Sequence, residues 1–130
     1  MIVHLDIGGE GRYPGAFNVN PMGLTSTTGT PGRPIPNLVV GRAEALPIAD
    51  HVADLVTVES APIRPGAADE IARVLRPGGE IRLLHPAGYA AETHGIVATA
   101  LGADLVSRTT SKFGDDMTLT VLRRAVDLLR

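Results

Sequence analysis

Residues 53–84 read ADLVTVESAPIRPGAADEIARVLRPGGEIRLL, and the order of patterns in this stretch decides the fold. It opens on a short apolar run, Leu55–Val58, whose β-branched content predicts a strand buried on both faces. Ala67–Leu75 follows with Ile71, Val74 and Leu75 at helical spacing, and the reading places Asp69 and Glu70 in the first turn. Pro77-Gly78-Gly79 then predicts a helix stop, and Glu80–Leu84 a second strand that ends at His85-Pro86. Strand, helix, strand is the unit from which parallel sheets with crossover helices are built.

The same alternation extends outward. Upstream lie three further strand candidates: Ile2–Ile7, ending in Gly8-Gly9-Glu10-Gly11; Ala16–Val19; and Leu38–Val40, ending at Gly41. Downstream, Tyr89–Leu101 carries Ile96, Val97, Ala100 and Leu101 on one helical face, with Gly102 as its stop. Leu105–Ser111, a turn at Gly114-Asp115-Asp116, and Met117–Leu122 read as an antiparallel hairpin. The expected class is α/β: a mostly parallel sheet with a C-terminal antiparallel hairpin, a three-layer sandwich, in one domain over 1–130. The first crossover helix is missing from the pattern, because Arg12-Tyr13-Pro14-Gly15 leads straight into the second strand. Met22–Pro36, rich in Thr, Gly and Pro, is expected to be a long mobile loop over the site.

Composition narrows the function classes. Hydrophobic residues make up 44% of the 130, enough to fill a core, but aromatics supply only 3%, so aliphatic side chains must do it. Twelve basic residues against fourteen acidic ones leave a net charge of −2, which speaks against a nucleic-acid partner. There is no cysteine, so disulfides and thiolate metal sites are excluded. The four His show no close ligand spacing with carboxylates, and no metal is expected. No apolar run approaches the roughly 20 residues that span a bilayer. The N-terminus MIVHLDIGGE does not read as a signal peptide, and a cytoplasmic location is expected. Abundant Ala, Gly, Pro and Arg with a single Lys112 reflect a GC-rich genome and carry no functional weight.

In an open α/β sheet, ligands bind outside the carboxyl ends of the strands, where strand order reverses. That rule selects Gly8, Gly9, Glu10 and Gly11 after the first strand, and Asn20 after the second. It selects Arg42, Ala43 and Glu44 after the third, Glu59 and Ser60 after the fourth, and His85 and Pro86 after the fifth. Glycines let backbone approach a ligand closely, and a polar residue at the end of the second strand can bond a ribose hydroxyl. His85 is the best general-base candidate by residue type, and Glu59 the second catalytic candidate. His51 and His94 are read as exposed, and Tyr13 and Phe17 as flanking the turn where a ring could stack. No nucleophile elbow is present.

Two segments carry a family resemblance. Val40-Gly41-Arg42-Ala43-Glu44-Ala45-Leu46-Pro47, continuing through Ala53–Ser60, closely resembles the middle of class I S-adenosylmethionine-dependent methyltransferases. There a strand ends in Gly-Asp-Ala, Leu-Pro follows, and a Phe-Asp-Leu-Val strand comes next. Glu70–Gly79 is similar to the same family's helix and Leu-Lys-Pro-Gly-Gly turn. The resemblance covers roughly residues 3–86, and the C-terminal hairpin matches the family's reversed last strand. It implies a Rossmann-like fold, S-adenosylmethionine as cofactor, and Asp6 bracing the glycine loop. It also implies cofactor contacts from Gly8–Gly11, Asn20 and Arg42–Glu44.

The chain departs from the family in three places. Asn20 stands where an acid is usual, Arg42 where an Asp is usual, and the first crossover helix is absent. The leading expectation is an enzyme that methylates a small molecule or a group delivered by a partner. The alternatives are a non-catalytic binding or assembly subunit, as a homodimer or with a protein partner, and a toxin effector domain.

Overall fold

A computed structural model describes residues 1–26 and 31–127. The chain order is β1 (His4–Ile7), β2 (Phe17–Asn20), β3 (Leu38–Val40), β4 (Ala53–Glu59), α1 (Pro65–Val74), β5 (Leu75–Pro86), α2 (Ala87–Leu101), a short 3₁₀ turn (Gly102–Asp104), β6 (Leu105–Phe113) and β7 (Met117–Arg124). The strands form one sheet in the order β3-β2-β1-β4-β5-β7-β6. The first five run parallel, and β7 is antiparallel to both β5 and β6. Order reverses between β1 and β4, so the switch point falls at their carboxyl ends. The expected class, the parallel sheet and the terminal hairpin are all present.

The layering is thinner than a three-layer sandwich. The two helices pack against one another and therefore share one face of the sheet. That face is the apolar one. Leu5 lies opposite Val56, Ile7 opposite Val58 and Val19, Val56 opposite Ile81, Val58 opposite Leu83, and Ile81 opposite Leu122. All are buried, together with Ala67, Ile71, Val74, Val97 and Leu101 from the helices. Successive residues of a strand point to opposite faces. The other face therefore carries His4, Asp6, Thr57, Glu59, Glu80, Arg82 and Arg123, a polar row with no helix above it among the described residues.

Among the described residues, two further crossovers also lack helices: 21–37 joins β2 to β3, and 41–52 joins β3 to β4. The chain crosses from β1 to β2 through 8–16, where Gly8 and Gly11 take φ of +74° and +112°, conformations strained for any residue with a Cβ. Within 21–37, Leu24 pairs with Pro34, and Thr25 N donates to Arg33 O at 2.7 Å. Residues 27–30 of the loop expected at 22–36 lie outside the described residues.

α1 begins at Pro65, two residues earlier than its apolar spacing indicated, and Asp69 and Glu70 are not in its first turn. Proline at a helix start loses no hydrogen bond, which explains the earlier entry. Pro77-Gly78-Gly79 does not stop the helix either. Leu75 is already extended and paired with Ala53, and the ladder resumes at Leu55–Glu80, so the Pro-Gly-Gly segment forms a bulge inside β5. Arg124 of β7 covers the end of α1, donating to the carbonyls of Ala72 and Leu75 while paired with Asp104.

Candidate active site

A crevice of about 180 Å³ opens at the switch point, lined by Ile7, Gly8, Val19, Pro21, Gly41, Arg42, Ala43, Glu44, Ala61 and Pro62. Residues from the ends of β1, β2, β3 and β4 thus meet at one place. Gly8 is a cradle: a Cβ there would point at the Ala61 Cβ, 3.4 Å away. The walls are apolar, while Arg42 and Glu44 stand exposed at the rim.

The 41–52 crossover is held by α1 instead of by a helix of its own. Glu70 Oε1 accepts from Leu46 N at 2.8 Å. Arg73 donates to Ile48 O at 2.9 Å and Leu46 O at 3.0 Å, and pairs with Glu70 and Asp50. The two carboxylates raise the Arg73 pKa, and the Arg73 bond lowers both carboxyl pKa values. This clamp fixes the segment that presents Arg42–Glu44.

On the opposite, polar face of the sheet, Asp6 and Asn18 brace the glycine turn. Asp6 is fully buried, and its Oδ1 accepts from Arg12 at 2.8 Å and from Thr57 at 2.9 Å. A Cβ on Gly9 would sit 2.5 Å from Asp6 Oδ2 and closer still to Asn18 Oδ1, so no side chain fits at position 9. Arg12 also reaches Glu59 at 3.2 Å, and the Tyr13 hydroxyl donates to the same carboxylate. Burial and the Glu59 bond push the Tyr13 pKa up to about 12, so the hydroxyl stays protonated. Burial opposes the Arg12 charge, but Asp6 and Glu59 outweigh it and the net shift is upward.

The structure therefore divides the sequence candidates. Gly8, Arg42, Ala43 and Glu44 line the crevice. Asp6 and Gly9 form the brace outside it, and Gly11 packs against the Pro36 ring. Four expectations need correction. Asn20 is buried and does not line the crevice; its Nδ2 donates to Gly9 O at 3.2 Å and its Oδ1 accepts from Met22 N at 2.9 Å, tying the end of β2 to the glycine turn. Glu10 is bound to Ser26, through its N at 2.8 Å and Oγ at 2.7 Å, and does not line the crevice.

His85 is fully buried, so it cannot serve as a general base for a bound substrate. Its Nε2 faces Ala61 O at 2.8 Å and its Nδ1 faces His94 Nε2 at 2.9 Å. His94, expected to be exposed, is buried as well, with Nδ1 at 2.7 Å from the Thr120 hydroxyl, which meets Thr110 at 3.2 Å. A carbonyl only accepts, so the hydrogen bonds run one way, from Thr110 through Thr120, His94 and His85 to Ala61 O. Both rings are then neutral with the proton on Nε2. Burial lowers both pKa values, that of His94 to about 4 with His85 and Arg108 contributing.

Glu59 remains at the end of β4, on the polar face rather than in the crevice, paired with Arg12 and Tyr13. The sequence reading missed Pro21, Gly41, Ala61 and Pro62 as lining residues. It also missed the Glu70–Arg73 clamp, whose signal was the pair of long polar side chains facing a helix-free crossover. Among the described residues no group of three or more His, Asp or Glu could hold a metal ion, and no helix is long and apolar enough to cross a membrane.

A family model described as a methyltransferase domain matches residues 18–83. The chain belongs to the class I S-adenosylmethionine-dependent methyltransferase family. No curated protein matches the chain. Solved structures of this family share its fold at low identity. A methyltransferase from Aquifex aeolicus superposes with a TM-score of 0.67 at 11% identity, covering 95% of this chain and 82% of that one. The antibiotic-resistance methyltransferase Kmr gives 0.62 at 17%, covering 95% and 86%. A protein assigned as a methyltransferase in complex with the Haloferax volcanii Trm112 methyltransferase activator gives 0.62 at 16%, covering 95% and 83%.

The family implies S-adenosylmethionine, and the residues present fit its nucleoside half. Gly8 leaves open the space that a Cβ would fill, and Ile7, Val19, Pro21, Ala61 and Pro62 offer apolar walls to a purine. The crevice is below the roughly 300 Å³ at which whole-ligand pockets begin, so the remainder of the molecule lies outside it.

Proposed function

We propose that this chain binds S-adenosylmethionine in the switch-point crevice and transfers its methyl group to a small molecule or to a group presented by a partner protein. The observation that carries the reading is the convergence of Gly8, Arg42, Ala43 and Glu44 on one crevice at the β1/β4 switch point. Gly8 admits the nucleoside against backbone, Ala61 and Pro62 cover its face, and Glu44 is an acceptor at the rim. Bound there, the cofactor supplies an electrophilic methyl group. The protein's task is alignment of the acceptor, which can supply much of the rate without an acid–base pair. Glu59, paired with Arg12 and Tyr13 outside the crevice, is the carboxylate we assign to orienting that acceptor.

Calorimetric titration with S-adenosylhomocysteine tests this. Micromolar binding is expected, and Ala43→Leu, which fills the crevice, should abolish it while the fold is retained. Absence of binding at millimolar ligand overturns the proposal. The small crevice and the engaged Asn20 favour a second reading, a binding or assembly subunit that retains the crevice without methyl transfer. Binding without turnover across acceptor classes would select it.

A further inference from the structure

β6 is the outermost strand beyond β7, nine residues long, and every residue from Val106 to Phe113 is exposed. Its outer edge presents unpaired backbone amides and carbonyls, an arrangement that templates strand addition. It contains no Pro and no Gly, and its only charges are Arg108 and Lys112. Val106 and Phe113 are 60% and 55% exposed. The opposite edge, β3, is only three residues long. We propose that β6 pairs antiparallel with β6 of a second copy across a two-fold axis at Thr109, joining two sheets into one.

The two cations choose the register. A two-fold axis perpendicular to a sheet must pass through a single residue position of such a pair. Centred on Arg108, it would set that guanidinium against its own copy. Centred on Thr110, it would set Arg108 against Lys112. Centred on Thr109, it sets Arg108 opposite Thr110 and Ser107 opposite Ser111, and the bulge at Val106 ends the regular ladder there. No like charges then face one another directly, and the regular run Ser107–Ser111 is paired throughout. Ser and Thr pairs across antiparallel strands add hydrogen bonds of their own, while opposed like charges cost comparable energy. An edge-only contact lies at the low end of interface size, so the dimer is expected to dissociate on dilution. The inference is independent of the methyltransferase reading.

The test uses the full chain, which has no native thiol. Residues facing each other in an antiparallel pair have Cα atoms about 4.5–5.5 Å apart, within the range a disulfide spans. Thr109→Cys should therefore give a covalent dimer on mild oxidation, and Val40→Cys on the exposed β3 edge should give none. Sedimentation of the wild type should show twice the monomer mass at high concentration. Thr109→Lys should be monomeric with an unchanged thermal midpoint. A wild type that stays monomeric throughout the dilution series overturns the proposal. So does a Thr109→Cys variant that fails to cross-link or cross-links no faster than Val40→Cys, or a Thr109→Lys variant that still dimerises.

Discussion

Gly9 shows how a single position can be fixed by what lies beneath it. Its backbone N–H reaches back to Asp6 O at 3.1 Å, and its missing side chain leaves room for two buried oxygens, Asp6 Oδ2 and Asn18 Oδ1. Neither oxygen can move aside, because Asp6 is held by Arg12 and Thr57, and Asn18 by Pro36 O at 2.7 Å. Gly9→Ala should therefore lower stability by about 1–3 kcal/mol, the usual cost of overpacking, read as a fall in the urea midpoint. The same change at Gly95, mid-helix in α2 with nothing within 4 Å, should raise the midpoint. A Gly9→Ala midpoint equal to the wild type would show that the brace yields. The sequence made Gly9 and Asp6 legible as a strand-end turn. It could not reveal that Asn20 is engaged, because that depends on where Gly9 O and Met22 N arrive after folding. Nor could it reveal that His85 is sealed, because a strand-end histidine faces either solvent or core according to a parity that one residue of register decides.

At the scale of elements, α1 does two jobs. One face fills the core with Ile71 and Val74, and the adjoining face clamps the helix-free crossover 41–52 through Glu70 and Arg73. Arg73→Met leaves the Leu46 and Ile48 carbonyls and Glu70 without that partner, and should cost about 2 kcal/mol in unfolding. It should also weaken S-adenosylhomocysteine binding several-fold more than Arg76→Met, whose partners Asp54 and Val52 lie at the start of β4. Equal binding losses for the two variants would separate the clamp from the crevice. The helix itself was legible from its apolar spacing, and so were all seven strands to within a few residues. The bulge at Pro77–Gly79 was not, since Pro-Gly-Gly reads as a stop in either context, and only pairing with β4 distinguishes them.

At the scale of the whole molecule, the one-sided helical layer explains both the missing segments and the polar sheet face. A sheet covered by helices on both sides must be apolar on both. Here Arg12 and Tyr13 cover part of the second face, and ion pairs such as Glu80 with Arg82 and Arg123 occupy more of it. The apolar side in turn buries a neutral histidine pair. An unfolded histidine titrates near 6.5, whereas folded His94 does so near 4, so the unfolded state binds more protons between those values. Stability should accordingly be greatest above about pH 6.5 and decline as pH falls toward 4, by about 3 kcal/mol for His94. His94→Gln should be less stable than the wild type at pH 7.5 yet show a flatter loss on acidification. Parallel pH curves for the two proteins would place the acid sensitivity elsewhere.

The crevice opens at the strand tips, bordered by Gly8, Pro21, the 41–44 segment and 61–62, and it meets the core at Ile7 and Val19. Substitutions at the exposed rim residues Arg42 and Glu44 leave the hydrophobic interior untouched. In a lineage built on this plan, ligand preference can drift rapidly without eroding the scaffold, and evolvability is concentrated at the strand tips.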